Sequence, residues 1–261
     1  MKKIICPVIF AGAGPGDPDL ITVKAKTALE NANLIIYAGS LVPDAVLCWK
    51  GQKARTLSSA DMNLDQIIQA IKTCYDEGGR VVRLHTGDPC FYGAIFEQMR
   101  ALDAVNIPYE VIPGVTAAFA ASARMNMEYT LPEITQTLIL TRISGRTPVP
   151  EAEAFERLAA HQASMAVYLS IAHIQKVQDI LETHYGKHSL CAIAYKVSHP
   201  EEQIFYTPAC ELAQTCKRHN ITRHALIIVG KAVEASFSKT NRIKSKLYDA
   251  AFSHGYRRAE Q

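Results

Sequence analysis

A chain of 261 residues, 48% hydrophobic and 20% charged, carries enough apolar material for a packed core, which excludes a disordered or fibrous protein. A net charge of +3 is too weak for a nucleic-acid binder, though it suits an acidic small molecule. Seven scattered cysteines without a C-x-x-C pair argue against a structural zinc site, so no metal ligands are expected. Free thiols in a reducing compartment fit this pattern, and no apolar run reaches membrane-spanning length, so the expected setting is the cytoplasm with no membrane partner. Lys2 and Lys3 before an apolar run imitate a signal peptide, but the run ends at Gly12, in a glycine loop where a cleavage site would stand.

The first element is a buried strand over Val8 to Ala11. A loop follows at once: Gly12, Ala13, Gly14, Pro15, Gly16, Asp17, Pro18. A helix and a second strand, Leu34 to Tyr37, come next. Strand, glycine loop, helix, strand is how an α/β protein offers backbone to a ligand at the carboxyl ends of its strands. The dinucleotide fingerprint G-x-G-x-x-G fits only in part. Gly12 and Gly14 match, but Asp17 stands at the third glycine and Pro15 removes an N–H. No acid follows Tyr37 to take a ribose hydroxyl. A nucleotide-dependent oxidoreductase is therefore one alternative, and a plain tight turn another.

Asn63 to Cys74 reads as a helix with Leu64, Ile67, Ile68 and Ile71 on one face, a capping box from Asn63 and Gln66, and a stop at Gly78-Gly79. Val81 to Leu84 is a strand, Ala94 to Asp103 a helix, and Tyr109 to Ile112 a strand. A hinge is expected at Pro113-Gly114, with a helix over Ala117 to Met125 after it. Strands are then expected over Thr137 to Thr141, Met165 to Ser170, Leu190 to Tyr195, Gln203 to Tyr206 and Ala225 to Val229. The helices among them are Pro150 to Ala160, Ile174 to His184 and Ala209 to His219. The domains are thus 1–113, 114–235 and a basic tail, 236–261. The tail reads either as solvated chain or docked helix, or as a lid or anion-binding element.

GAGPGDPDLITVKA (Gly12 onward, with Ala11 before it) resembles the opening motif of the tetrapyrrole (corrin/porphyrin) methyltransferases. The resemblance continues through YAGSLV (Tyr37 to Val42), VVRLHTGDP (Val81 to Pro89), YGAIFEQM (Tyr92 to Met99) and IPGVTAAFAA (Ile112 to Ala121). TLPEITQTLILTR (Thr130 to Arg142), GRTPVPE (Gly145 to Glu151) and SKLYDAAFSHGYR (Ser245 to Arg257) resemble the branch acting at C11 of precorrin-4. The resemblance implies two α/β domains with the active-site cleft between them, the tetrapyrrole methylase fold and not a Rossmann methyltransferase. It implies S-adenosylmethionine as cofactor, a polycarboxylate tetrapyrrole as substrate, and a homodimer. Another ring position, or a non-catalytic corrinoid carrier, are the alternatives it leaves.

The same resemblance implies cofactor contacts at Pro15, Thr86, Gly87, Asp88, Phe91, Thr116, Ala117, Leu169, Val197, Ala225 and Leu226. From the residues alone, Asp88 is equally a turn former, Thr116 a helix cap, and Leu169 and Val197 core side chains at strand ends. Guanidinium, imidazole and ammonium groups suit a polycarboxylate, so His85, Arg142, Arg146, His173 and Lys196 are candidate substrate contacts, together with Asp17. Methyl transfer to carbon needs alignment in a preorganised cleft and no activated serine or cysteine. Cys90, after Gly-Asp-Pro, has no His–Asp partner and reads as a small buried residue.

Overall fold

The computed structural model describes residues 6–39, 42, 44–238 and 245–259. Lys2, Lys3, Ser40, Leu41, Lys239, Arg242 and Lys244 lie outside the described residues. Two compact units divide the chain: the first comprises Met1–Ala120 with Val197–Glu201, the second Ala121–Lys196 with Glu202–Gln261. The division in sequence falls beyond the Pro113-Gly114 position, and a five-residue stretch from late in the chain belongs to the first unit.

The first unit is built on β1 (Val8–Gly12), β2 (Leu34–Tyr37), β3 (Arg55–Ser58), β4 (Val81–His85) and β5 (Tyr109–Ile112). All pairs are parallel, in the order β3-β2-β4-β1-β5. Parallel strands need crossovers, and the helices supply them on both faces. Ala11, Ile35, Val82 and Leu84 pack against Ala25 and Leu29 of α1 (Val23–Glu30). Phe10, Leu34, Ile36 and Val81 pack against Ile67 and Ile71 of α2 (Leu64–Asp76) and Leu102 of α3 (Ile95–Ala104). Each of the Leu, Ile, Val and Phe side chains among these, withdrawn from water, contributes about 1.5–3 kcal/mol. The Asn63 side chain accepts the Gln66 N–H at 3.0 Å and the Gln66 side chain accepts the Asn63 N–H at 2.9 Å, so the expected capping box forms.

β3 went unpredicted because its sequence, Arg-Thr-Leu-Ser, is an exposed edge with only Leu57 turned inward. The sheet's carboxyl edge leads into α4 (Ala117–Arg124).

The second unit holds β6 (Leu138–Arg142), β7 (Ser164–Tyr168), β8 (Leu190–Tyr195), β9 (Gln203–Pro208) and β10 (Ala225–Val229), in the order β6-β7-β10-β8-β9. Only β6 and β7 pair in parallel; the other pairs are antiparallel. Met165, Val167, Ile193, Ile227 and Val229 form one core with Phe155 of α5 (Phe155–Ala159), Leu181 of α6 (Ile174–Tyr185) and Leu212 of α7 (Leu212–Arg218). The expected helix from Pro150 is broken: a 3-10 turn, Glu151–Glu153, ends at Ala154, whose ψ of 138° is extended. α8 (Lys231–Ser238) packs on β8 and β10. Among the described residues no helix is long and apolar enough to cross a membrane.

Candidate active site

Three glycines meet at the carboxyl edge of the first sheet. Gly12 closes β1, Gly87 follows β4 and Gly114 follows β5. A Cβ on Gly12 would stand 2.6 Å from both Gly114 Cα and Gly87 O, and one on Gly114 would fall on Gly87 O and lie 2.8 Å from Gly12 Cα. Backbone therefore packs on backbone, which only glycine permits. Gly14 and Gly87 both have positive φ, 77° and 60°. Their main chains bridge, with the Gly87 N–H donating to Gly14 O at 2.8 Å and the Gly14 N–H to Gly87 O at 3.3 Å.

Gly87 differs from its two neighbours. A Cβ there would meet nothing nearer than Thr116 Cα at 3.8 Å. A methyl group there would sit in ordinary contact with Val115 and Thr116, room that neither Gly12 nor Gly114 has.

A phosphate fits this loop poorly. The N–H groups of Ala13, Gly14 and Asp17 already donate to His85 O at 2.7 Å, Gly87 O at 3.3 Å and Ser198 Oγ at 3.0 Å. Pro15 has none. A pyrophosphate would find these three donors already engaged and a fourth position without one.

Asp88 binds the protein's own main chain with both oxygens. Its Oδ1 accepts the Cys90 N–H at 2.8 Å and its Oδ2 accepts the Gly114 N–H at 2.9 Å. Cys90 is exposed, correcting the expectation of a buried residue. Desolvation, then the neighbouring Asp88 carboxylate, push its thiol up from the ordinary value. Phe91 lies against Tyr92 with ring centroids 4.2 Å apart and planes tilted by 45°, and Tyr92 and Ala94 take left-handed backbone, φ 56° and 49°. Thr116 is buried, while Pro15 and Val197 are buried and Ala117 partly so.

His85 is 4% exposed, on the α3 side of the sheet near Phe10, and its Nε2 has no hydrogen-bond partner among the described residues. Burial, then the Arg83 charge, push its pKa down to about 3, so the imidazole is neutral. Arg83 is also buried; its Nε donates to Gln98 Oε1 at 3.1 Å and its Nη1 to Ile36 O at 3.2 Å. Burial lowers its pKa to about 10, which leaves it charged.

In the second unit, Arg142 is likewise spoken for. Its Nη1 donates to Thr147 O and its Nη2 to Pro148 O, both at 3.0 Å. The guanidinium shapes the loop after β6 through these bonds. Arg146 and His173 are exposed, and His173 Nε2 lies 3.0 Å from where a Gly145 Cβ would stand. Lys196 and Leu169 both have positive φ, 45° and 52°; Leu169 is 66% exposed, which is unusual for a leucine held in strained backbone. Ala225 is half-buried and Leu226 buried, paired across β10 and β8 with Tyr195 and Ala194. Among the described residues no three His, Cys, Asp or Glu side chains are grouped to hold a metal ion.

Residues 7–213 match the family model of the tetrapyrrole (corrin/porphyrin) methylases. The chain belongs to this family. As a tetrapyrrole methylase it is 44% identical over 255 residues to the cobalt-precorrin-4 C(11)-methyltransferase of Methanocaldococcus jannaschii, covering 97% of each chain. It is 42% identical to the precorrin-4 C(11)-methyltransferase of Pseudomonas aeruginosa, covering 97% of this chain and 99% of that one. A solved structure of a cobalamin biosynthetic enzyme, cobalt precorrin-4 methyltransferase, superposes with a TM-score of 0.85 at 39% identity, covering 87% of this chain and 95% of that one. The two-unit α/β architecture is the tetrapyrrole methylase fold.

Within this methylase, sequence reasoning overlooked Ser198 and His199. They lie in the Val197–Glu201 stretch that joins the first unit and touch Asp17 and Gly16 there. Only Pro200 and the gap between β8 and β9 marked the stretch as a loop.

Proposed function

We infer that this chain transfers a methyl group from S-adenosylmethionine to C11 of precorrin-4 or cobalt-precorrin-4, in cobalamin biosynthesis. The observation that carries the reading is the 44% identity over 97% of both chains to a relative of that name. The backbone floor at Gly12, Gly87 and Gly114 supports it, because Gly87 keeps room for one methyl and the N–H groups of Ala13, Gly14 and Asp17 are already engaged and so unavailable to phosphate. The reading includes a homodimer working in the cytoplasm.

Bound at the Gly87 face, S-adenosylmethionine supplies an electrophilic methyl group. Thr86, Gly87, Phe91, Thr116 and Ala117 bind it, with Pro15 and Val197 as further apolar contacts of the first unit. Asp88 holds the Gly114 loop in register for that binding. Leu169, Ala225 and Leu226 are the proposed contacts of the second unit. Asp17, Arg146, His173 and Lys196 orient the tetrapyrrole. Holding a carbon nucleophile in line is worth roughly 7–11 kcal/mol of barrier when the geometry is near attack, so no covalent nucleophile is needed.

The test is calorimetric titration with S-adenosylhomocysteine, with NADH as parallel control. Saturation by the former alone is expected; saturation by NADH alone overturns the reading. Incubation with S-adenosylmethionine and precorrin-4, with and without cobalt, then gives a product heavier by one methyl group. Light scattering at the monomer mass would remove the homodimer.

A further inference from the structure

Gly16 is buried, and its φ lies outside the left-handed region, so its own backbone does not demand glycine. What demands it is a neighbour. A Cβ on Gly16 would stand 2.5 Å from His199 Cδ2 and 2.8 Å from His199 Nε2. The imidazole edge rests on the α-carbon of the turn. One residue away, the Ser198 Oγ accepts the Asp17 N–H at 3.0 Å. The Asp17 Oδ1 in turn accepts the Asp19 N–H at 2.9 Å.

The stretch that makes these contacts is bent at some cost. Lys196 and Ser198 both take positive φ, 45° and 62°. Each left-handed non-glycine residue costs about 1–3 kcal/mol and persists only where surrounding structure holds it. Val197, between them, is 5% exposed and anchors the stretch. Val197–Glu201 packs in the first unit although the residues on either side of it in sequence, Lys196 and Glu202, pack in the second.

We propose that Ser198 and His199 are positioning residues for the Pro15-Gly16-Asp17 turn, fixing the Asp17 carboxylate for the tetrapyrrole substrate. Ser198 sets the main chain of Asp17 by its hydrogen bond, and His199 sets its tilt by ring contact with Gly16. Neither touches the substrate; both act through Asp17. The inference rests on the methyltransferase reading above and extends it to residues that reading does not use.

The experiment compares Gly16→Ala, His199→Ala, their double variant, His199→Phe and Ser198→Ala. In each, thermal midpoint, S-adenosylhomocysteine affinity, and KM and kcat with precorrin-4 are measured. Gly16→Ala and His199→Ala are each expected to lower kcat/KM for the tetrapyrrole about tenfold, with S-adenosylhomocysteine affinity within about twofold of wild type. In the double variant the methyl has room, so part of the Gly16→Ala loss in both midpoint and kcat/KM returns. His199→Phe, which keeps a ring on Gly16, retains most activity, whereas a purely structural site would lose midpoint and cofactor affinity together with kcat/KM in His199→Ala. Ser198→Ala shows the same split between substrate and cofactor.

Additive losses in the double variant overturn the proposal, as does Phe failing as badly as Ala. So does cofactor affinity falling in parallel with kcat/KM. Wild-type protein that binds S-adenosylhomocysteine and methylates precorrin-4 keeps the parent reading while these variants decide the inference. Wild-type protein that does neither overturns both.

Discussion

The Asp88 carboxylate ties two loops of the first sheet together, its Oδ2 accepting the Gly114 N–H at 2.9 Å while its Oδ1 closes the turn onto the Cys90 N–H at 2.8 Å. An amide at this position keeps the shape but loses the charge and one acceptor. Asp88→Asn should therefore cost about 2 kcal/mol, the range of a hydrogen bond to a charged group. S-Adenosylhomocysteine affinity should drop about tenfold with it, which is about 1.4 kcal/mol. Urea melts and calorimetry together check this; unchanged values in both reject the clamp.

The same carboxylate governs the chemistry of the thiol beside it. Desolvation and then Asp88 hold Cys90 above the ordinary thiol range. Removing the negative charge favours the thiolate, so Asp88→Asn should speed iodoacetamide alkylation of Cys90 at pH 8. Peptide mass spectrometry of timed samples reads the rate. A rate that is equal or slower in the variant contradicts the assignment.

Two glycines that look alike in sequence should fail differently. In Gly114→Ala the new methyl falls on Gly87 O, and the backbone must move at a cost of about 3 kcal/mol. In Gly87→Ala the methyl has room but the backbone has φ 60°, so the stability cost is about 1 kcal/mol. Gly87 is a proposed cofactor contact, so Gly87→Ala should lose cofactor affinity well beyond its loss of stability. Equal thermal losses in the two variants would refute the distinction.

Acid should expose the buried imidazole. His85 is held near pKa 3 in the folded protein, while the unfolded chain takes up a proton near pH 6.5. The unfolded state therefore binds more protons below pH 6.5, and stability falls as pH drops toward about 3. The slope from this one group approaches ~1.4 kcal/mol per pH unit. His85→Leu should flatten the urea midpoint between pH 6.5 and 4 relative to wild type. Parallel profiles would mean that the imidazole is not buried neutral.

The tail has its own local fastener. The Arg257 Nη2 donates to Leu247 O at 2.9 Å and to Phe252 O at 3.5 Å, and also to Asp249 O. Arg257→Ala should speed protease nicking within residues 245–259 and leave the main thermal transition in place. A shift of that transition by several degrees would show that the segment supports the core.

The central strands were legible because a parallel sheet buried on both faces writes its strands as unbroken apolar runs, as in Leu34–Tyr37. The capping box at Asn63 was legible because its partners are three residues apart. What escaped was where particular side chains and backbones settle, within a loop as well as across the chain. Arg142 reads as a charge for a carboxylate, yet three carbonyls of its own loop, those of Ile143, Thr147 and Pro148, accept from it. His85 looks like a mouth residue because the strand was expected to stop at Leu84; one residue more places it inside. The helix from Pro150 ignores Ala154, whose extended backbone no propensity marks. Nothing local to Ser198 and His199 announces that they pack against residues more than a hundred and eighty positions earlier.

The floor at Gly12, Gly87 and Gly114 is made of peptide groups without side chains. A surface of that kind tolerates little change: a substitution at Gly12 or Gly114 adds an atom where there is no space, and one at Gly87 strains a backbone of positive φ. Side chains elsewhere can be exchanged without moving main chain that carries none.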